Sequence, residues 1–220
     1  MSELNDAYEQ LFQAYGPQHW WPGDSPFEII IGAILTQNTN WKNVERALNQ
    51  LREADLLSLS SLRKTSVEEL AELIRSAGYY RQKAKRLHNF LHFLDECYEG
   101  SLELLFDNSV DELRMELLSI NGIGPETADS IVLYAANMPT FVIDAYTARV
   151  FVRHGWIDAD ARYDDLKQYA ESQLPRDMQL FNEFHALIVQ VGKKHCRKSP
   201  DCENCPLSSM LPSAGPYLDF

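Results

Sequence analysis

The chain has few cysteines, no long apolar run and little strand-forming sequence. It has 220 residues, of which four are cysteines, and no apolar run approaches the roughly 18 residues of a membrane span. The amino-terminal segment MSELNDAYEQLF is acidic and lacks the basic-then-apolar order of a secretory signal, so we expect a cytoplasmic protein. The 45% hydrophobic and 24% charged residues are typical of a globular chain.

Positive charge is also scarce. The chain carries 20 lysines and arginines against 32 aspartates and glutamates, a formal net charge of −12. Taken alone, this balance argues against a nucleic-acid partner, because phosphate binding needs a basic surface. The local field decides binding, however, so the total leaves such a partner open.

The pattern of apolar residues predicts an all-α fold. The only candidate strand is Thr140 to Ile143, which is four residues long. Between Arg81 and Leu94, apolar residues recur at helical spacing, at Ala84, Leu87, Phe90, Leu91 and Leu94. Further helices are predicted over 27–35, 41–51, 66–76, 111–118, 125–136, 145–153, 163–171 and 182–191.

The most informative segment is LLSINGIGPETADSIVL, residues 117–133. One helix is expected to end near Leu118, Gly122 and Gly124 allow a tight turn, and Pro125 suits the first position of the next helix. Backbone N–H groups at such a helix start can face a phosphate oxygen, helped by the helix dipole. The alternative is an ordinary helix–turn–helix connection in which glycine ends the first helix.

This segment resembles the helix-hairpin-helix of the endonuclease III superfamily of DNA glycosylases. VIDAYTARV, residues 142–150, resembles the segment that carries the superfamily's catalytic aspartate, which implies that role for Asp144. ILTQNT, from Ile34, resembles the loop whose glutamine enters the DNA stack, which maps to Gln37. These landmarks and a carboxy-terminal cysteine loop occur in order over residues 26–211. WWP at 20–22 and GYYRQKAKRL from Gly78 are similar to the 3-methyladenine DNA glycosylase III branch.

The resemblance implies base excision by a single carboxylate. Asp144 would stabilise the oxocarbenium-like sugar and orient water, although an aspartate just before a helix is also a good N-cap. Bifunctional members carry a lysine in the second half of the hairpin, and at that position, directly after Pro125, this chain has Glu126. A carboxylate cannot form a Schiff base, so we expect a monofunctional enzyme without efficient AP lyase activity.

The base pocket is predicted from aromatic stacking together with the resemblance, and the DNA contacts from the hairpin, the resemblance and local positive charge. We assign the pocket to Trp20, Trp21, Pro22 and Trp41, since an aromatic face favours a positively charged methylpurine; tryptophans packed in the core are the alternative. The residues expected to contact DNA are Gln37, Ile120, Gly122, Ile123, Gly124, Thr127, Lys193, Lys194, Arg197 and Lys198. A second basic group, Arg81, Lys83, Lys85 and Arg86, is more typical of a solvated helix face.

The carboxy-terminal loop, residues 195–211, has the spacing C-x5-C-x2-C at Cys196, Cys202 and Cys205. It resembles the superfamily's four-cysteine [4Fe–4S] loop, but Leu211 stands at the fourth place. Three outcomes stay open: a cluster with a non-cysteine fourth ligand, zinc on these cysteines and His195, or a loop without metal. Cys97, far away in a predicted helix, is expected in the core.

The sequence therefore predicts a two-lobed helix-hairpin-helix DNA glycosylase. One lobe spans 26–135 and ends in the hairpin at about 112–136; the other joins 1–25 to 136–220. The expected activity is base excision repair of an alkylated purine, such as 3-methyladenine, in double-stranded DNA. We expect the protein to act as a monomer and to have no membrane partner. The alternatives are a glycosylase/AP lyase for oxidised or mismatched bases, and a non-catalytic protein that binds DNA structures through the hairpin.

Overall fold

A computed structural model describes residues 2–218, and helices are the only regular structure within that range. The α-helices, in chain order, are α1 (Glu3–Tyr15), α2 (Pro26–Leu35), α3 (Trp41–Glu53), α4 (Leu59–Leu62), α5 (Val67–Leu73), α6 (Tyr80–Tyr98), α7 (Leu102–Phe106), α8 (Val110–Ser119), α9 (Pro125–Ser130), α10 (Ala145–Arg153), α11 (Tyr163–Gln173) and α12 (Met178–Lys194). A π-helical turn, Ile131–Ala135, continues α9, and short 3-10 helices cover Arg75–Ala77 and Ser208–Met210.

Serine side chains fix the start of many of these helices. Each accepts a hydrogen bond from the backbone amide three residues on, and the serines that do so include Ser25, Ser58, Ser66, Ser101 and Ser109. At Ser66 and Ser109 the bond is reciprocal, because Glu69 and Glu112 reach back to the serine amide. These caps satisfy amides that a helix cannot pair internally.

The predicted all-α fold class is confirmed, and most predicted helices appear with shifts of a few residues at their ends. The helix 145–153 begins and ends where the sequence predicts, and the predicted stripe of α6 is buried. Helices α1, α4 and α7 were not predicted. Thr140 to Ile143 forms no strand; Phe141 donates its amide to the Glu171 carboxylate at 2.9 Å. Cys97 is exposed, so its expected core position is wrong: it lies in the last turn of α6, beyond the buried stripe.

The described helices form two compact units, Met1–Trp20 with Pro139–Phe220, and Trp21–Met138. We call them the terminal unit and the central unit. Their boundaries lie three to five residues from the 25/26 and 135/136 divisions expected from the sequence. In the terminal unit, α12 packs on α1 and α10; in the central unit, α6 packs on α5 and α2. Within residues 2–218, every helix is too short or too polar to cross a membrane.

Lys83 is buried in the central unit, with only 1% of its surface exposed. Its Nζ donates to the carbonyl oxygens of Leu35, at 2.8 Å, and Ala77, at 2.7 Å. Burial, together with the nearby charge of Arg86, lowers the pKa of Lys83 to about 8. The expected solvated face is therefore wrong for Lys83, which instead ties the end of α2 to α6.

Candidate nucleic-acid interface and active site

A buried ion pair joins the two helices of the hairpin. Arg114 on α8 donates from Nε to Oδ1 of Asp129 on α9 over 2.9 Å, and Asp129 is fully buried. A buried carboxylate left without its partner destabilises strongly, so the pair holds the two helices at a fixed relative position. The turn that connects the two helices is therefore held in a fixed position.

The turn itself needs glycine at Gly122. Its φ is +98°, and a Cβ there would lie 2.4 Å from Cγ of Arg86. Helix α9 then starts with Gly124 as its N-cap, and no side chain caps it. Because Gly124 has no side chain to cap the helix, the first backbone amides after Pro125 can donate to an external acceptor such as a phosphate oxygen.

Gln37 is tied to the hairpin within the central unit. Its Nε2 donates to the carbonyl oxygen of Gly122 at 3.0 Å and to Oγ1 of Thr127 at 2.9 Å, and its Oε1 accepts from Arg86. On the same helix as Arg86, Asn89 donates to the Asn121 carbonyl oxygen at 2.9 Å. Side chains of α6 therefore hold the turn in place and keep Gln37 against it. We call Gln37, Arg86 and Asn89 the hairpin clamp.

Three aromatic rings of the central unit pack together. The ring centroids of Trp21 and Trp41 are 5.0 Å apart and the rings are nearly perpendicular, while Trp21 and Tyr134 are tilted at 5.0 Å. Gly32 of α2 lies under both tryptophans, since a Cβ there would be 3.5 Å from Trp21 and 3.7 Å from Trp41. Trp21 and Trp41 are only partly buried. Tyr134 is buried, so the accessible surface of this aromatic cluster belongs to the two tryptophans, whose rings can attract a cationic base.

The other predicted pocket and basic residues lie elsewhere. Trp20 belongs to the terminal unit, where Nζ of Lys193 is 5.8 Å from its ring centroid. Lys194 lies 4.6 Å from the centroid of Tyr15. Both lysines are exposed at the end of α12, where cations also suit the helix dipole.

Asp144 is the N-cap of α10 in the terminal unit. Its Oδ1 accepts the amide hydrogen of Thr147 at 2.7 Å, and its Oδ2 lies 3.7 Å from Nε2 of His185 on α12. Burial acts to raise the pKa of Asp144, but the His185 imidazole and the Thr147 amide outweigh it, so the pKa lies below its usual value. The side chain is 15% exposed, so an ionised carboxylate is held in a fixed orientation and remains partly accessible.

The cysteine loop is held by an arginine. Arg153, which is 4% exposed, donates to Sγ of Cys196 at 3.3 Å and to the carbonyl oxygens of Arg197, at 2.6 Å, and Lys198, at 3.2 Å. Arg149 donates to the Cys196 carbonyl oxygen at 2.6 Å. The backbone of the loop is therefore anchored to α10 by two guanidinium groups.

The loop does not fit a four-cysteine cluster. Leu211 lines the same small cavity as the three cysteines, and it has no ligand atom. Over the described range, no three histidine, cysteine or acidic side chains are grouped to hold a metal ion. Burial raises the pKa of the Cys202 and Cys205 thiols above the usual value for cysteine.

The comparison with known proteins identifies the family. The HhH-GPD superfamily base excision DNA repair protein family matches residues 31–176, a segment that includes the hairpin, Gln37 and Asp144. The chain belongs to the HhH-GPD superfamily. Its members repair DNA by base excision, so the expected superfamily, DNA glycosylase activity and DNA binding are confirmed.

Similar proteins fall within the same superfamily. A Methanocaldococcus jannaschii protein, provisionally named as a DNA repair glycosylase, is 50% identical over 201 residues that cover 91% of each chain. An endonuclease III of Thermotoga maritima is 30% identical over 84% of this chain and 81% of its own. A crystal structure of an H. pylori 3-methyladenine DNA glycosylase bound to 1,N6-ethenoadenine is 28% identical, with a TM-score of 0.75 over 88% of this chain and 98% of that one.

Three of the side chains that the sequence predicts to contact DNA are buried. Ile120 and Ile123 are each 5% exposed, as is Thr127, whose hydroxyl accepts from Gln37. Any DNA contact at these positions must therefore come from the backbone. Pro22, Arg197 and Lys198 are exposed, whereas Gly122 and Gly124 are half-buried.

Sequence reasoning missed three residues that organise these features. Arg86 completes the hairpin clamp, His185 faces Asp144, and Arg153 holds the cysteine loop. The helical period does put Arg153 on the apolar side of α10, next to buried Val150, and a charged residue there is an available signal of a buried pairing. For Arg86 and His185, the sequence offers no comparable signal.

Proposed function

We propose that this HhH-GPD protein is a monofunctional DNA glycosylase that hydrolyses the N-glycosidic bond of an alkylated purine such as 3-methyladenine. The observation that carries the proposal is the aromatic cluster of Trp21, Trp41 and Tyr134. A methylated purine carries a formal positive charge, and an aromatic face favours such a ring over a neutral base by about 0.5–2 kcal/mol. The H. pylori relative is named as a 3-methyladenine DNA glycosylase, which agrees with this substrate class.

Asp144 supplies the catalytic carboxylate in this proposal. Departure of the base leaves positive charge on the sugar, and an ionised carboxylate stabilises it and can orient the attacking water. The depressed pKa of Asp144 keeps the group ionised at neutral pH. An alkylated purine is already an activated leaving group, so a site with one carboxylate suffices and strong acid catalysis is not required.

Water is the nucleophile because the hairpin has no lysine at the position that follows Pro125. Glu126 stands there instead, and a carboxylate cannot form the Schiff base from which a β-lyase reaction proceeds. The product is then an abasic site in an intact strand. The relative named endonuclease III makes the bifunctional alternative worth testing directly.

The cysteine loop is structural in this proposal and works without metal. Arg153 bonds to one thiol and two carbonyl oxygens of the loop, which gives it a central anchor made of protein. Lys193 and Lys194 at the end of α12, with Arg197 and Lys198 of the loop, are exposed and supply phosphate contacts, which makes DNA binding salt-dependent. Such a local basic patch is compatible with a net charge of −12.

The experiment is a comparison of single-turnover excision from duplexes that each carry one defined base. The panel contains a methylated purine, 1,N6-ethenoadenine, 8-oxoguanine and a thymine mismatch, and binding to each duplex is measured in parallel. Fastest excision of the alkylated purines supports the proposal. Preference for the oxidised or mismatched base favours the alternative, a glycosylase/AP lyase for such bases. Binding without excision of any base favours a non-catalytic protein that binds DNA through the hairpin.

A further inference from the structure

The two oxygens of the Asp144 carboxylate have different partners. Oδ1 is fixed by the backbone amide of Thr147, which belongs to the same helix, α10. Oδ2 faces His185, which belongs to α12, at 3.7 Å from Nε2. The first contact is an ordinary helix cap. Capping therefore accounts for one oxygen and leaves the second contact to be explained.

His185 is poorly placed for any role on the surface. Its side chain is 5% exposed, and its neighbours on α12, Phe184, Ala186 and Leu187, are buried as well. Helices α10 and α12 pack closely within the terminal unit. A polar ring is costly to bury unless it is used, and the ionisable group that this ring faces is Asp144.

The groups that set the ionisation of Asp144 come from both packed helices. Burial opposes the charged form, His185 from α12 favours it, and Thr147 from α10 favours it as well. The carboxylate loses most of its hydration in this position, so its charge depends on these two partners. Thr147 acts chiefly through its backbone amide, whereas the larger contribution of His185 comes from a side chain that a substitution can remove.

We propose that His185 is a positioning residue that orients Oδ2 of Asp144 and stabilises its ionised form for base excision. This inference rests on the proposed function, because it assigns His185 a role only through Asp144. The 3.7 Å between Nε2 and Oδ2 is an ion-pair distance, longer than a hydrogen bond, so His185 acts on the carboxylate through electrostatic attraction. This attraction opposes the tendency of burial to protonate the carboxylate.

The test is the pH dependence of single-turnover excision of a methylated purine by the wild type, His185→Leu and His185→Gln. Glutamine keeps an N–H donor and has no charge change across the range, whereas leucine removes the donor at similar volume. We expect the acid limb of the His185→Leu profile to move up by about one pH unit or more. The His185→Gln profile should stay closer to the wild type. Spontaneous base loss, measured without enzyme at each pH, is subtracted.

Two results overturn the inference. One is an identical pH profile for all three proteins; the other is an equal displacement for leucine and glutamine, which would point to packing alone. Thermal melting and DNA binding of each variant separate loss of the fold from loss of the chemical step. Failure of the proposed function gives a different result: Asp144→Asn would then excise as fast as the wild type, whatever the His185 variants do.

Discussion

The amide Nε2 of Gln37 lies 3.0 Å from the carbonyl oxygen of Gly122 and donates to it. This bond joins the loop after α2 to the hairpin turn, and Arg86 completes the clamp by donating to the other end of the same amide. In the resemblance, this glutamine enters the DNA stack. Insertion of Gln37 into DNA would then exchange these bonds within the protein for contacts in the duplex.

Arg86→Met is expected to weaken the hairpin clamp. Methionine keeps the helix propensity and apolar stem of α6 but removes the donor to Gln37, and a hydrogen bond to a charged group contributes about 1.5–3 kcal/mol. We expect a loss of that order in the free energy of unfolding, measured by urea denaturation, together with weaker duplex binding. Lys85→Met, at an exposed position on the same helix, removes the same charge as a control. Equal losses for the two variants would refute a specific role of the clamp.

Trp21→Leu is expected to slow excision of an alkylated purine by roughly tenfold, the equivalent of about 1.4 kcal/mol of cation–π stabilisation. Excision rates are compared for a cationic methylpurine and for neutral 1,N6-ethenoadenine, since only the charged base should lose this term. Trp156→Phe is the matched control, because Trp156 packs on Phe151 and His154 in the terminal unit. A loss of equal size for both bases would mean that Trp21 acts through shape rather than charge.

Glu126→Lys is expected to create a protein that can be trapped on DNA. A lysine at this position supplies the amine that the proposed mechanism lacks, and borohydride reduces the Schiff base that it would form with the sugar. The measurement is covalent protein–DNA complex on a denaturing gel. Glu126→Gln serves as the control and should form none. Efficient trapping of the wild type would contradict the monofunctional assignment.

The cysteine loop should be stable without metal. Purified protein is expected to contain substoichiometric iron and zinc by elemental analysis, and a chelator should leave its melting temperature unchanged. Arg153→Met, by contrast, should lower the free energy of unfolding by about 1–3 kcal/mol, because it leaves the partly buried carbonyl oxygens of Arg197 and Lys198 without their donor. A stoichiometric metal content that is lost in a Cys202→Ser variant would contradict this prediction.

Local sequence patterns account for much of the fold. The stripe from Ala84 to Leu94 and the helix predicted from Ser66 each lie in a short segment, so their outcome depends on neighbours along the chain. Gly122 and Pro125 mark the turn for the same reason. The segment before Asp144 is a strand candidate by sequence because its β-branched residues suit a strand. Tertiary contacts, such as the bond from the Phe141 amide to Glu171, hold it in an irregular conformation instead.

The remaining features depend on residues far apart in the sequence. The sequence around Lys83 is typical of a solvated helix face, because the carbonyl oxygen that it binds belongs to Leu35, which is 48 positions away. His185 and Asp144 are 41 positions apart, and the packing of α10 on α12 brings them together. Charged and polar side chains of this kind are not predictable from periodicity, because periodicity reports which face is apolar and says nothing of specific partners.

The most direct test of the central claim is base release from methylated duplex DNA by the wild type and Asp144→Asn. The variant keeps a group that can accept the Thr147 amide, so its fold and DNA binding should persist, while loss of the negative charge removes stabilisation of the sugar cation. The proposed mechanism predicts methylpurine release by the wild type alone, with strands that break only after alkali treatment. Equal release by both proteins would contradict the assignment of Asp144 as the catalytic carboxylate.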